Sequence, residues 1–300
     1  MTWVTWRQHR TEAIVGLCLL AALAAYAILL GTSMRTAFTH DNLAACIARS
    51  QGAGCQNAIG DFDGKFGSAV NIAFWASLLL LPGLIGVVVG APLLGRELEF
   101  GTWRLAWSQT VPRGRWLVIK LALVGGGLAV LGGAMSAIIM WYRAPMDRLV
   151  GHLVHNAYDF EGVVLPAYIL AAFGLAVLAG LLLRRSIPAM IAALVAWLAL
   201  RLGVEFGLRN QLLPSSTLSR PCTGGCSGSF GNIGISAIPP ETGHIGDLVL
   251  SGHYARNRFL ISYQPAGHFW GLQFAEAGLF LAVTLAALGA AVWVLHRRGA

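Results

Sequence analysis

The sequence predicts an all-α integral membrane protein with six transmembrane helices. Composition is the first reason. Of 300 residues, 56% are hydrophobic and only 11% charged, with a mean hydropathy of +0.67, whereas a soluble domain carries roughly 25% charged residues. So few charges cannot cover so much apolar surface in water, so lipid must solvate much of the chain. The second reason is a pattern of six apolar runs, at 13–31, 69–94, 121–142, 162–183, 187–208 and 271–295. Each is about as long as the roughly 20 residues a hydrocarbon core requires.

Helices follow because lipid offers no partner to backbone N–H and C=O groups, which must bond within their own segment. In the first run no small-residue cleavage site follows Met1-Thr2-Trp3-Val4-Thr5-Trp6-Arg7, so this helix is expected to remain in place. The second run holds Pro82 in its interior, where a kink is expected. Pro166 and Pro188 lie near the ends of the fourth and fifth, where they cost little. No internal repeat and no linker divides the chain, so residues 1–300 read as one transmembrane domain.

The net charge is +8 and the isoelectric point about 9.7. The basic residues form short clusters between apolar runs, not one dense patch, so nucleic acid is not the expected partner and the lipid bilayer is. The short connections and the two termini hold Arg7, Arg10, Arg96, Arg104, Arg113, Arg115, Lys120, Arg184, Arg185, Arg297 and Arg298 against Glu12, Glu97 and Glu99. Basic residues in short loops near helix ends mark the cytoplasmic side, which predicts N-in, C-in in a multi-pass plasma-membrane protein.

Two long outer connections follow, 32–68 and 209–270. The second is rich in Gly, Pro and Ser and reads mostly as loop, with a short helix around 245–253. Its aromatic residues Tyr254, Phe259, Tyr263, Phe269 and Trp270 suit the outer interface. Cys46 and Cys55 share the first connection, and Cys222 and Cys226 the second, while Cys18 stands alone in the first helix. Two local pairs on the oxidising side suit disulfides, with free thiols as the other reading. No metal site is expected. Cys222 and Cys226 lack a second ligand pair, His152, His155, Asp159 and Glu161 read as solvent-facing polar residues of an outer loop, and Asp61-Phe62-Asp63-Gly64 reads as a turn without the downstream ligands of a calcium loop.

Charges inside the apolar runs are few. Glu276 lies about one and a half turns inside the last helix with Gln273 one turn away, and Arg201 and Glu205 stand at i, i+4 in the fifth. An acid at that depth costs a few kcal/mol unless paired or near water. These four residues are candidates for a substrate path, or for a pairing of Glu276 with Arg201 across helices. An interfacial carboxylate reaching outward is the other reading.

The cytoplasmic stretch 96–120 carries the most information. It runs Arg96-Glu97-Leu98-Glu99-Phe100-Gly101-Thr102-Trp103-Arg104-Leu105-Ala106-Trp107-Ser108-Gln109-Thr110-Val111-Pro112-Arg113-Gly114-Arg115-Trp116, with Lys120 beyond. In a helix Phe100, Trp103 and Trp107 share one face, with charges on the others. Such a helix lies along the inner membrane surface, and one reading stops there, with the charges simply solvated.

This stretch resembles the first cytoplasmic loop of bacterial exporter-type ABC transporter permeases, through Arg96, Glu97, Glu99, Gly101, Thr102, Pro112, Arg115 and Lys120. The amphipathic N-terminus, six helices, large outer loop before the last helix and basic C-terminus extend the likeness. Trp3-x-x-Trp6-Arg7-Gln8-His9-Arg10 and Leu105-Ala106-Trp107-Ser108-Gln109 look like actinobacterial permeases of this length. The resemblance implies a coupling helix that docks on a separate cytoplasmic ABC ATPase subunit, which binds ATP and magnesium. It implies a second permease copy or homologue, and export of a hydrophobic or amphipathic compound such as a drug or antibiotic. Arg96, Glu97, Glu99, Gly101, Thr102, Arg113 and Arg115 would supply polar contacts and turns, and Trp103 and Trp107 the anchoring face.

No cofactor and no catalytic residue are expected in this chain. A phosphate-binding loop needs Gly-x-x-x-x-Gly-Lys-[Ser/Thr]. Lys65 follows Gly60 and Gly64 at the wrong spacing and precedes Phe66, and Lys120 follows Ile119. Two other readings of the whole are a non-transporting immunity or sensor module that keeps the permease shape, and a membrane-embedded metal enzyme.

Overall fold

The computed structural model describes residues 2–48, 53–67, 72–100, 113–153, 158–221, 248–255 and 258–298. Helices dominate: α1 (Thr2–His40), α2 (Leu43–Ala48), α3 (Ala53–Phe66), α4 (Ile72–Glu99), α5 (Arg113–Val150), α6 (Val164–Leu183), α7 (Ser186–Gly203), a π-helical turn (Val204–Leu208), α8 (Arg209–Leu212) and α9 (Phe269–Arg298). Among the described residues six helices are long and apolar enough to cross a membrane: Ile14–His40, Leu80–Glu99, Arg115–Leu149, Val164–Leu183, Ser186–Leu208 and Ala266–Arg297. The chain is therefore a multi-pass membrane protein. α1 is unbroken from Thr2, so the N-terminal segment continues into the first span. α4 runs through both Pro82 and Pro92.

The bundle is built around α6, which packs against α4, α5, α7 and α9. Lipid tails are as apolar as leucine, so burial of apolar surface does not drive helices together in a bilayer; close packing does. Small residues allow that approach. A Cβ on Gly180 of α6 would stand 2.7 Å from the Ala91 carbonyl of α4, and one on Gly90 of α4 would stand 2.8 Å from the Phe173 carbonyl of α6. Leu29, Val130, Ile187, Phe206 and Leu285 project outward, as side chains facing lipid do.

The long connections depart from expectation in two places. The first is mostly helical: α1 extends to His40, and α2 and α3 follow, so Asp61-Phe62-Asp63-Gly64 lies within α3 and not in a turn. Phe38, Leu43, Phe62 and Phe66 bury against Tyr142 and Met146 of α5, giving this segment a core of its own. Cys46 of α2 and Cys55 of α3 are joined by a disulfide.

In the last connection, the helix expected at 245–253 is instead strand β2 (Leu248–Ala255), which with β1 (Ser216–Pro221) and β3 (Arg258–Gln264) forms an antiparallel sheet of order β1-β3-β2. β3 reads Arg-Phe-Leu-Ile-Ser-Tyr-Gln, rich in the aromatic and β-branched residues that suit a strand. Its pairing with β2 anchors that segment, whereas an isolated helix as short as 245–253 is only marginally stable. Of the interfacial aromatics, Phe269 is buried and Trp270 about half exposed. Cys222 and Cys226 lie outside the described residues.

Candidate functional site

The bundle has a short-loop end, with residues 96–100, 113–120 and 184–186, and a long-loop end opposite. Charged clusters form at both. At the short-loop end, Lys120 of α5 is buried and donates to Glu97 Oε1 at 2.6 Å and to the Leu93 carbonyl at 3.2 Å. Glu99 Oε2 accepts from the Ser186 backbone N–H and hydroxyl, both at 3.2 Å. Ser186 opens α7, so a carboxylate from α4 satisfies a first-turn donor at the positive end of another helix. Of the candidate coupling residues, Arg96, Glu97 and Glu99 thus close α4, and Arg113 and Arg115 open α5. Arg96 and Arg115 are exposed. Gly101, Thr102, Trp103 and Trp107 lie outside the described residues.

At the long-loop end, three spans and one loop converge on a buried ionic cluster. Arg209 donates from Nη2 to Asp159 Oδ1 at 2.5 Å and to Glu276 Oε1 at 3.1 Å, and from Nε to Glu276 Oε2 at 3.0 Å. Tyr168 of α6 donates its hydroxyl to Glu276 Oε1 at 2.6 Å. Arg201 approaches Asp159 at 2.5 Å, Glu205 at 3.4 Å and Glu276 at 3.7 Å, and its guanidinium lies 4.5 Å from the centre of the Tyr168 ring. Burial disfavours the Arg209 charge, but Asp159, Tyr168 and Glu276 outweigh it and hold its pKa above the ordinary arginine value.

The π-helical turn is what brings the two arginines together. A continuous α-helix would carry Arg209 about 80° around from Arg201. The π turn spends more residues per revolution and swings Arg209 back toward the same face.

Beside this cluster, Gln273 caps α6 from another helix. Its Oε1 accepts from Val163 N and Val164 N, both at 3.1 Å, and its Nε2 donates to the Tyr158 carbonyl at 2.8 Å. Gly162 permits the approach. It adopts φ +68°, and a Cβ there would stand 2.7 Å from Gln273 Oε1.

A second cluster lies at the same end. Arg143 Nε is 3.1 Å from Glu161 Oε1 and 3.5 Å from Asp147 Oδ1, while His152 Nδ1 is 2.7 Å from Glu161 Oε2 and 3.7 Å from Asp147 Oδ2. The hydrogen bond with Glu161 raises the His152 pKa above its usual value, against the effect of burial.

The structure thus brings Gln273, Glu276, Arg201 and Glu205 into one neighbourhood. It overturns one expectation: Asp159 and Glu161 are buried, not solvent-facing, because Asp159 is drawn inward by Arg201 and Arg209 and Glu161 by Arg143. Sequence reasoning missed Tyr168 and Arg209. Tyr168 was hidden within an apolar run. Arg209 stands four residues after Glu205 and eight after Arg201, but in a continuous α-helix it would face about 80° away from Arg201, so periodicity did not mark it.

No curated protein and no solved structure matches the chain. The profile of one family, described as ABC-2 membrane transporter related, matches residues 17–209. That stretch takes in most of the first span, the next four spans, both flanks of the 101–112 segment and every arginine of the two long-loop-end clusters. With six membrane-crossing helices and a match over more than half its length, the chain belongs to the ABC-2 membrane transporter related family.

Proposed function

We propose that this chain is the permease subunit of an ATP-binding-cassette exporter in the plasma membrane, oriented N-in and C-in. A separate cytoplasmic ATPase binds ATP and magnesium and docks on the 101–112 segment through Trp103 and Trp107. The permease works with a second copy or a homologue and exports a hydrophobic or amphipathic compound. Family membership supports the permease role. Short basic loops at one end and the Cys46–Cys55 disulfide at the other support the orientation.

The observation that carries the coupling reading is the bracing of that segment. Glu97 ties its leading helix, α4, to Lys120 of its trailing helix, α5, and Glu99 ties α4 to the start of α7. A push on residues 101–112 therefore reaches three spans at once. In this reading Glu97 and Glu99 transmit movement within the permease, and the tryptophans make the contact.

At the far end, Glu276, Gln273 and Arg201 are buried within the subunit, so a path past them opens only when α6, α7 and α9 part. They are the closed outer end of the route, with Glu205 at its rim.

Co-expression with a candidate cytoplasmic ABC ATPase subunit tests the proposal. Co-purification and ATP hydrolysis stimulated by the permease are expected, both lost in Trp103→Ala/Trp107→Ala. A pair that never co-purifies would overturn the coupling reading. Co-purification without stimulation would favour a non-transporting module.

A further inference from the structure

The structure assigns a divalent transition-metal site, best suited to Zn²⁺, to Asp147, His152 and Glu161 at the long-loop end. This inference is independent of the transport reading. One donor atom from each residue lies within 4.8 Å of the others. Proximity alone would describe many acidic clusters, but Asp147 adds a separate observation. Its side chain is 2% exposed, and neither carboxylate oxygen accepts a hydrogen bond from an N–H or a hydroxyl. Burying an ionised carboxylate without such partners is costly, and the nearest basic groups are too distant to bond well, Arg143 at 3.5 Å and His152 at 3.7 Å.

The division of oxygens defines the site. Arg143 faces Asp147 Oδ1 and Glu161 Oε1, and so orients both carboxylates from behind. Oδ2 and Oε2 are left on the His152 side. Such an outer partner is what ligand carboxylates in metal sites commonly have. With neutral His152 the four side chains sum to one negative charge, which a divalent ion offsets.

The ligand set names the metal. An imidazole nitrogen argues against magnesium and calcium, which take oxygen. One nitrogen and two oxygens suit zinc, whose ligands stand about 2.0–2.2 Å away and therefore about 3.4 Å apart in a tetrahedron. His152 and Glu161 would separate from 2.7 Å and His152 and Asp147 would close from 3.7 Å. Where His152 is an imidazolium, the Nδ1 proton shared with Glu161 Oε2 leaves to solvent as the ion enters and the ring binds as neutral imidazole with its proton on Nε2. The His152 side chain is 43% exposed, which gives the ion a way in and leaves a fourth position for water.

Bound there, the ion would pin the end of α5 to the loop that also carries Asp159, and so stiffen the neighbouring ionic cluster.

The test uses the full chain purified in detergent and stripped with a chelator. Zinc content by mass spectrometry, and the unfolding midpoint with and without ZnCl₂ or MgCl₂, are measured for wild type, His152→Ala and Asp147→Asn. One zinc per chain and a midpoint raised by ZnCl₂ alone are expected. Each substitution should weaken zinc binding by at least about tenfold, the smallest effect common even for outer-shell partners. Wild type binding no more zinc than His152→Ala, or Asp147→Asn retaining full affinity, would overturn the assignment. Comparing each variant with itself, with and without zinc, separates ligand loss from any change in folding.

Discussion

Asp159 and Glu161 stand two residues apart in one short connection, yet they serve two clusters of opposite character. Asp159 joins Arg201, Arg209, Tyr168 and Glu276, where Arg209 alone makes hydrogen bonds to both carboxylates and the tyrosine. Glu161 joins Arg143, His152 and Asp147, where one arginine serves two buried carboxylates. The first holds three spans together through two arginines that share its carboxylates. The second is open on one side, where His152 is part-exposed, and holds a buried carboxylate that accepts no hydrogen bond. Buried charge is thus used in two ways within one region, as a fastening and as a binding site.

The sharpest way to break this comparison is Arg209→Met. It leaves Asp159 and Glu276 facing each other in a buried site with Arg201 alone, a loss of about 3–5 kcal/mol where one partner of a buried pair is removed. Thermal unfolding in detergent checks it, and an unchanged midpoint would mean that the first cluster bears no load. Gln273→Leu should cost less, about 1–3 kcal/mol, by orphaning the first-turn donors of α6. Its loss should appear as faster amide exchange at Val163 and Val164. Smallest of all is Asp147→Asn in metal-free protein, which removes an ill-matched buried charge. The change should lie between zero and a gain of about 1 kcal/mol. A clear loss of stability would instead make Asp147 a fastening like Asp159, and the two clusters would cease to differ.

The coupling end behaves unlike either. Glu97 and Glu99 were expected to face a partner, and the motif that singles them out is plain in the sequence. Their bonds to Lys120 and Ser186 were not legible there. Lys120 is 23 residues from Glu97 and Ser186 is 87 from Glu99, and no local pattern connects such positions. The i, i+4 pair Arg201–Glu205 was legible because helix periodicity alone places it. Arg209 was not, since its facing depends on a π turn that no residue in Val204-Glu205-Phe206-Gly207-Leu208 announces.

Length and hydropathy by themselves determined the six spans, because a bilayer fixes how many apolar residues a crossing takes and lipid allows only self-satisfied helices there. Tertiary structure alone decided which way each loop carboxylate turns, that residues 248–255 pair as a strand, and which span occupies the centre. Those outcomes rest on contacts between segments: an arginine meeting a carboxylate across helices, the pairing of 248–255 with β3, and the close approach of small residues of α6 to its neighbours.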